Sequence, residues 1–383
     1  MKVAHLCTVD SSLRYLLLPQ LEGSRAQGDE TLGISAPGPD VAFLEARGIR
    51  HVPLRASTRK RSLVSDVRAA WELIHILRTE RPDVLHTHNP KPGVYGRILG
   101  RLLGVPIVVN TVHGLYATES DPFWKRALVY LLEALASRFS DLELIQSAED
   151  VQTIRRLRLV APDKVQYLGN GVDLVRFSNH VDVNSRGAKR SELCLDLEAV
   201  VVGCVARLVA EKGIPELIAA YDMRSQDYEL VIVGPPDPSK EDALTQEDIE
   251  TAERSGVRFL GHREDVEMLY LVFDLFVLPS HREGFPRAAM EAAASGLPLI
   301  VTDVRGCREV VDPGVNGILV PRQDPAALAA GLDKLVADPQ MRAEMGEAGR
   351  RKARRDFDEH EVVAKVLAAY GEVSERKGLT FNG

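Results

Sequence analysis

Short apolar runs of strand length alternate with amphipathic stretches along nearly the whole chain. "KVAHLCTV" reads as a strand, "LLLPQLEGSRAQG" as a helix and "ETLGISAPG" as the next strand. "SDVRAAWELIHILRTERP" predicts a helix with Val67, Trp71, Ile74 and Leu73 or Leu77 on its apolar face, stopped by Pro82. Strand "DVLHTHN", helix "GVYGRILGRLLG", strand "PIVVNTVHG", helix "FWKRALVYLLEALASRFS" and strand "LELIQS" follow. After "VQYLGNGVDLVRF" the segment "SNHVDVNSRGAKRSE" is polar, has no apolar period, and reads as a linker. The rhythm then restarts with "AVVVGCVARL", "GIPELIAAYD", "YELVIVGP", "TQEDIETAERSG", "VRFLG", "DVEMLYLVF", "LFVLPS", "PLIVTD" and "GILVP". A final helix, "EHEVVAKVLAAYGEV", lines up Val362, Val363, Val366, Leu367 and Tyr370, a face that must pack on something.

Strand–helix alternation of this kind predicts α/β architecture with parallel sheets covered on both faces. At 383 residues two domains are the default. We expect doubly wound units over residues 1–175 and 176–358, then a helix and tail over 359–383 that packs back on the first unit. Ligands of such sheets bind beyond the carboxyl ends of the strands. The loops to search therefore follow "HLCTV", "VLHTH", "VVNTV", "VGCVA", "VIVG", "VRFLG" and "FVLPS".

Composition narrows the classes. No apolar run approaches the ~18 residues of a membrane span, and "MKVAHLCTVD" reads as a strand rather than a signal peptide. Cys7, Cys194, Cys204 and Cys307 are scattered, which predicts reduced thiols in a cytoplasmic protein without a metal centre. Through residue 175 there are 22 Lys and Arg against 19 Asp and Glu, and beyond it 26 against 36. No nucleic-acid partner is expected from that balance.

Candidate chemistry concentrates in "FVLPSHREGFPRAAMEAAASG". Pro286 suits the first turn of a helix, which is expected to start at Phe285 or Pro286 with its free N–H groups facing the crevice. Gly284 lets backbone approach a ligand. Glu283 stands in the loop before that helix, and Glu291 about one and a half turns inside it, among small residues. A buried carboxylate needs donors, and the vicinal hydroxyls of a sugar supply them. The plainer alternative sets Glu283 against the helix dipole and exposes Glu291.

The two glutamates with seven residues between them, the Gly-Phe-Pro after the first and the "EAAASGLPLIVTD" from the second resemble the retaining glycosyltransferases of family 4. "VARLVAEKG", "NGVDLVRF", "VRFLGHRED", "FVLPS" and "VNGILVP" agree, so the resemblance covers nearly the whole chain. It implies the GT-B fold, two Rossmann-like domains facing each other across a cleft, and a nucleoside-diphosphate sugar donor, UDP- or GDP-linked. By the same resemblance Arg207 and Lys212 clamp the donor diphosphate without a metal or other cofactor. Glu291 accepts from the ribose, and Glu283 contacts the transferred sugar with backbone N–H groups of Gly284 and Phe285 beside it; Pro286 has no N–H to give. Arg263 in "GHRED" is the candidate for the base, although a surface arginine fits there equally well. His113, at the end of "VVNTVHG", matches the family's histidine near the reacting sugar.

Other positions are read toward the acceptor. "HTHNPKPG" offers His88, Asn89 and Lys91, and His86 with His88 forms only a weak zinc signal, since no further ligand converges in sequence. Many relatives carry a Gly-Gly turn after the first strand, where this chain has "TVDSSLRYLLLP". Ser11 and Ser12 then supply donors at a helix start and Arg14 a third cation, so relatives' acceptor preferences do not transfer. The predicted reaction moves a sugar to a hydroxyl or phosphate acceptor, small or lipid-linked, with retention by front-side attack and with the domains closing over the donor. "STRKRS" (57–62) and "FWKRALVYLL" are basic and amphipathic, and fit peripheral contact with the inner face of the cell membrane; a solvated loop and a core-facing helix fit them too. A nucleotide-sugar epimerase of the same shape and a non-catalytic sugar-nucleotide binder are the alternatives. A dehydrogenase is disfavoured because no Gly-x-Gly-x-x-Gly turn follows a strand.

Overall fold

The computed structural model describes residues 1–383 except 59–61, 89, 118–120, 179–182, 239 and 382–383. Asn89 and the basic run Arg59–Lys60–Arg61 therefore lie outside the described residues. The chain divides into two compact units, residues 1–169 with 360–383, and residues 170–359.

The first unit holds strands β1 (Lys2–Val9), β2 (Glu30–Ala36), β3 (Arg50–Pro53), β4 (Val84–His88), β5 (Ile107–Val112), β6 (Leu142–Ile145) and β7 (Val165–Tyr167). They pair in the order β3-β2-β1-β4-β5-β6-β7, every pair parallel. The second unit holds β8 (Val201–Val205), β9 (Glu229–Val233), β10 (Arg258–Phe259), β11 (Leu275–Leu278), β12 (Leu299–Thr302) and β13 (Gly317–Val320), ordered β10-β9-β8-β11-β12-β13. Both are doubly wound, with the strand order reversing between β1 and β4 in one sheet and between β8 and β11 in the other. Ligands of such sheets bind at that reversal. β3 and β7 were not singled out in the sequence, because "RHVP" and "VQY" are too short to show a period.

Parallel register sorts side chains onto faces. His5 lies beside His86, and His88 beside Thr111. Val3, Val84, Ile107 and Val109 share this face with them and pack under Val362, Val366, Ala369, Tyr370 and Val373 of the C-terminal helix Glu359–Lys377. One face of the first sheet is thus apolar near the strands' amino ends and lined with histidine near their carboxyl ends.

Two helices depart from the expected pattern. Leu63–Glu80 buries Ala69, Leu73, Ile76 and Leu77, while Val67 and Trp71 stand exposed with Leu63 and Val64. The 3.6-residue period cannot distinguish two apolar stripes on one helix, and the sheet selects the one with the smaller residue, Ala69, at its centre. Phe123–Ala136 carries Glu133 toward the sheet, where it pairs with buried Arg97 at 2.7 Å; Arg97 also meets Glu143 at 2.8 Å. Its outward side shows Trp124, Leu128, Leu131 and Leu135, all exposed, behind an exposed Phe123. Both helices pack on helix Pro90–Leu102, so the two outward apolar stripes flank the same element.

The expected linker is largely a helix, Val183–Glu192. Its apolar pattern is absent because ion pairs hold it instead. Arg190 is buried and donates to the carbonyls of Val272, Asp196, Leu197 and Ala199 and to Asp274, which Arg186 also meets. Guanidinium donors satisfy several chain ends at once, work that a hydrophobic stripe cannot do.

Candidate active site

The second unit builds its site at the reversal between β8 and β11. After β8 the chain passes Arg207, makes a tight turn over Ala210–Lys212 and reaches Gly213 at φ +71°. A Cβ on Gly213 would fall 2.0 Å from the carbonyl oxygen of Pro279, just beyond β11. Only glycine permits that approach, and it sets Lys212 against the loop that carries Glu283. Lys212 Nζ donates to Glu283 Oε1 at 2.6 Å, with both side chains mostly buried. His281 tightens the same junction: its N–H bonds the Glu211 carbonyl at 2.8 Å and its Nε2 lies 2.9 Å from Glu216. The loop after β12 closes on Glu283 from the other side through Gly306 (φ +81°), where a Cβ would meet the Gly284 carbonyl oxygen at 2.4 Å. Neither His281 nor Gly306 was picked out from sequence, since their importance is a matter of inter-loop distance.

Pro286 is the N-cap of helix Arg287–Ala294, one position before the first turn expected for it. The Phe285 side chain is buried, edge-on to Phe357, so only its backbone faces outward chemistry, and its carbonyl accepts from Asn170 Nδ2 at 3.3 Å. Glu291 lies on the fifth residue of that helix, and burial holds its carboxyl above the usual range against the opposing Arg287 charge and Tyr270 bond. The Tyr270 hydroxyl donates to Glu291 Oε2 at 3.0 Å, and Arg287 stands 3.9 Å from the other oxygen. Tyr270 was missed in "VEMLYLVF", where its hydroxyl is hidden in an apolar run.

Other candidates have partners of their own. Arg207 pairs with Asp237. Arg263 forks onto Asp265 at 2.8 and 2.7 Å and lies 3.7 Å from Glu192. That pairing makes it a clasp on helix Val183–Glu192. In the first unit Ser11 and Ser12 lie in the first turn of a continuous helical run from Asp10 to Ala26, and Ser11 N–H is taken by Asp10 Oδ1 at 2.9 Å. Arg14 meets Asp40 at 2.8 Å and stacks over Phe43. Lys91 meets Asp66 at 2.9 Å.

The histidines converge more than their spacing showed. His5 enters from β1 beside His86 and His88, and ring nitrogens of the three lie within 4.8 Å of one another, close enough to hold an ion. His88 is 1% exposed with both nitrogens engaged, Nε2 with His5 Nδ1 at 3.0 Å and Nδ1 with His113 Nε2 at 3.1 Å. The acceptor contact expected of it therefore requires one of these bonds to open. His113 sits just past β5, partly exposed, with Nδ1 3.1 Å from Gln146 Oε1, and burial lowers its pKa to about 4. His86 bonds Tyr370 and Thr111, each at 2.7 Å. Parity along β1 and β4 was the available signal for His5; Tyr370, 284 positions from His86, had none.

Comparison with known proteins follows the same two units. Residues 17–171 match the "Glycosyl transferase 4-like domain" model and residues 185–352 the "Glycosyl transferases group 1" model. The chain is 30% identical over 379 residues to the UDP-Gal:alpha-D-GlcNAc-diphosphoundecaprenol alpha-1,3-galactosyltransferase of Escherichia coli, covering 96% of each. It is 28% identical over 378 residues to the capsular polysaccharide biosynthesis glycosyltransferase CapM of Staphylococcus aureus, again 96% of each. Among solved structures, Anabaena HepE in complex with UDP superposes with a TM-score of 0.80 at 21% identity, over 97% of this chain and 100% of that one.

Proposed function

This chain belongs to the family 4 glycosyltransferases of GT-B fold, and we propose that it moves a sugar, with retention, from a UDP- or GDP-sugar to a lipid-linked saccharide acceptor. The observation that carries the donor reading is the Lys212–Glu283 pair, a cation and an anion held together at the β8/β11 reversal. Lys212 and Arg207 take the diphosphate, each charge-assisted bond contributing roughly 1.5–3 kcal/mol. They stabilise the leaving group as its bond to the sugar breaks, which makes transfer independent of metal. Glu283, with the N–H groups of Gly284 and Phe285, takes the sugar hydroxyls. Glu291 accepts from the ribose, its second oxygen kept in place by Tyr270. His113 contributes a ring nitrogen to a substrate hydroxyl. Attack comes from the face the nucleotide leaves, with the leaving phosphate accepting the acceptor's proton.

The acceptor reading rests on two supports. The Escherichia coli relative is named for a diphosphoundecaprenol-linked acceptor, and the first unit turns two apolar helical stripes outward, around Trp71 and around Trp124. No helix among the described residues is long and apolar enough to cross a membrane. Stripes of this kind lie in a lipid interface, which fits a protein working at the inner face of the cell membrane.

A donor panel read by thermal shift tests the nucleotide assignment. A ligand present at a hundred times its Kd stabilises by about 2.7 kcal/mol, and one UDP- or GDP-sugar is expected to stand out. No shift with any nucleotide sugar overturns the donor assignment. Flotation with anionic vesicles tests the acceptor side: Trp124→Ser with Leu128→Ser is expected to weaken binding about tenfold or more without lowering Tm, and unchanged flotation overturns the membrane assignment.

A further inference from the structure

The chain of ring nitrogens in the first unit permits a proton count. Gln146 Oε1 only accepts, so it takes the Nδ1 proton of His113. A neutral imidazole carries one proton, which leaves His113 Nε2 with a lone pair. That nitrogen is 3.1 Å from His88 Nδ1, which must donate. His88 Nε2 is then bare and accepts from His5 Nδ1 at 3.0 Å. His5 Nε2 in turn faces the Tyr370 hydroxyl at 3.5 Å, Tyr370 lies 2.7 Å from His86 Nδ1, and His86 Nε2 lies 2.7 Å from Thr111 Oγ1. One direction of donation, from Thr111 through His86, Tyr370, His5, His88 and His113 to Gln146, satisfies every group. Burial keeps all four rings neutral, lowering His5 to about 3 and holding His86 and His88 well below the usual histidine range. The same accounting weighs against an ion between His5, His86 and His88: all six of their ring nitrogens already have a hydrogen-bonding neighbour.

We propose that His88, oriented by His5 and Tyr370, is a positioning residue that fixes His113 as a neutral ring protonated on Nδ1, so that His113 offers substrate a lone pair and never a proton. The inference rests on the reading of His113 as a substrate contact. A substrate hydroxyl that donates to His113 Nε2 takes the place of the His88 N–H, and the two nitrogens, 3.1 Å apart in this structure, must part for its oxygen to accept that N–H in turn. The arrangement selects a hydroxyl over a phosphate oxygen or a carbonyl, neither of which can donate.

Two measurements on the full chain test this. In histidine-¹⁵N-labelled protein at pH 7, long-range proton–nitrogen spectra are expected to show His113 and His88 neutral and protonated on Nδ1. A proton on His113 Nε2, an imidazolium, or stoichiometric zinc bound to the cluster overturns the proposal. In transfer assays, His88→Asn places an amide near the Nδ1 position and His88→Gln near the Nε2 position. His88→Asn is expected to keep kcat/KM within about threefold. His88→Gln should lose about 10–100-fold, as supporting partners of functional histidines do, and should add nothing to His113→Ala. Equal losses in both variants, or a His88→Gln loss that adds to that of His113→Ala, overturns it. Full transfer by His113→Ala removes the substrate role of His113, while the nitrogen spectra still decide the chain by themselves.

Discussion

Lys212→Ala separates binding chemistry from folding because both consequences follow from one contact. The ammonium is 2.6 Å from Glu283 Oε1, and the two side chains are 20% and 10% exposed. Breaking a fully buried pair costs about 3–5 kcal/mol. Residual solvent reduces this to about 1–2 kcal/mol here, or roughly 2–8 °C in Tm for a unit of this size. The functional loss is larger. One preorganised donor on developing charge is worth about 2.7–4 kcal/mol, or 10²–10³-fold in rate. Radiolabelled sugar transfer and calorimetry on Lys212→Ala, Glu283→Gln and the double variant measure both. The double variant is expected to recover most of the lost Tm, because no lone carboxylate is left behind, and to recover none of the activity. Transfer by Lys212→Ala within threefold of the parent, or rescue of transfer by the second substitution, would refute the diphosphate role.

Three further outcomes follow from the second unit. Burial raises the Glu291 carboxyl, so the native state holds that proton more tightly than the unfolded chain, and stability falls as pH rises from the ordinary carboxylate range through the raised value. Glu291→Gln is expected to melt above the parent at pH 8, with the gap closing in acid, while donor affinity drops; a variant that melts lower at pH 8 contradicts the sign. Gly306→Ala adds a Cβ against the Gly284 carbonyl at positive φ, a strain of about 1–3 kcal/mol, and should lower both Tm and transfer; a neutral result in calorimetry refutes the close approach. Arg190→Ala should lose at least about 3 kcal/mol by removing the buried guanidinium partner of Asp274 and the side-chain donor to four carbonyls, whereas the more exposed Arg186→Ala should cost under about 1 kcal/mol; equal denaturant midpoints for the two would refute the staple.

Local sequence was enough for the alternation of strands and helices, because side-chain period and turn residues are properties of neighbours in the chain. It was also enough to raise Glu283 and Glu291 as candidates, since they follow a strand's carboxyl end at a helix start, whereas Arg207 and Lys212 came from the resemblance to the family 4 glycosyltransferases. What it could not decide were matters of distance between remote segments. Whether Trp71 or Leu73 faced the sheet depended on which stripe the sheet could accommodate. A polar stretch became the helix Val183–Glu192 because Asp274, more than eighty residues away, was there to receive Arg190. Lys212 met Glu283 only because Gly213 let two loops touch. His88 became a buried link between His5 and His113 through parallel register, in a chain closed by Tyr370 from the last helix. Periodicity and turn chemistry are written in adjacent residues, whereas hydrogen-bond partnership is settled by packing, which joins residues that the chain itself keeps far apart.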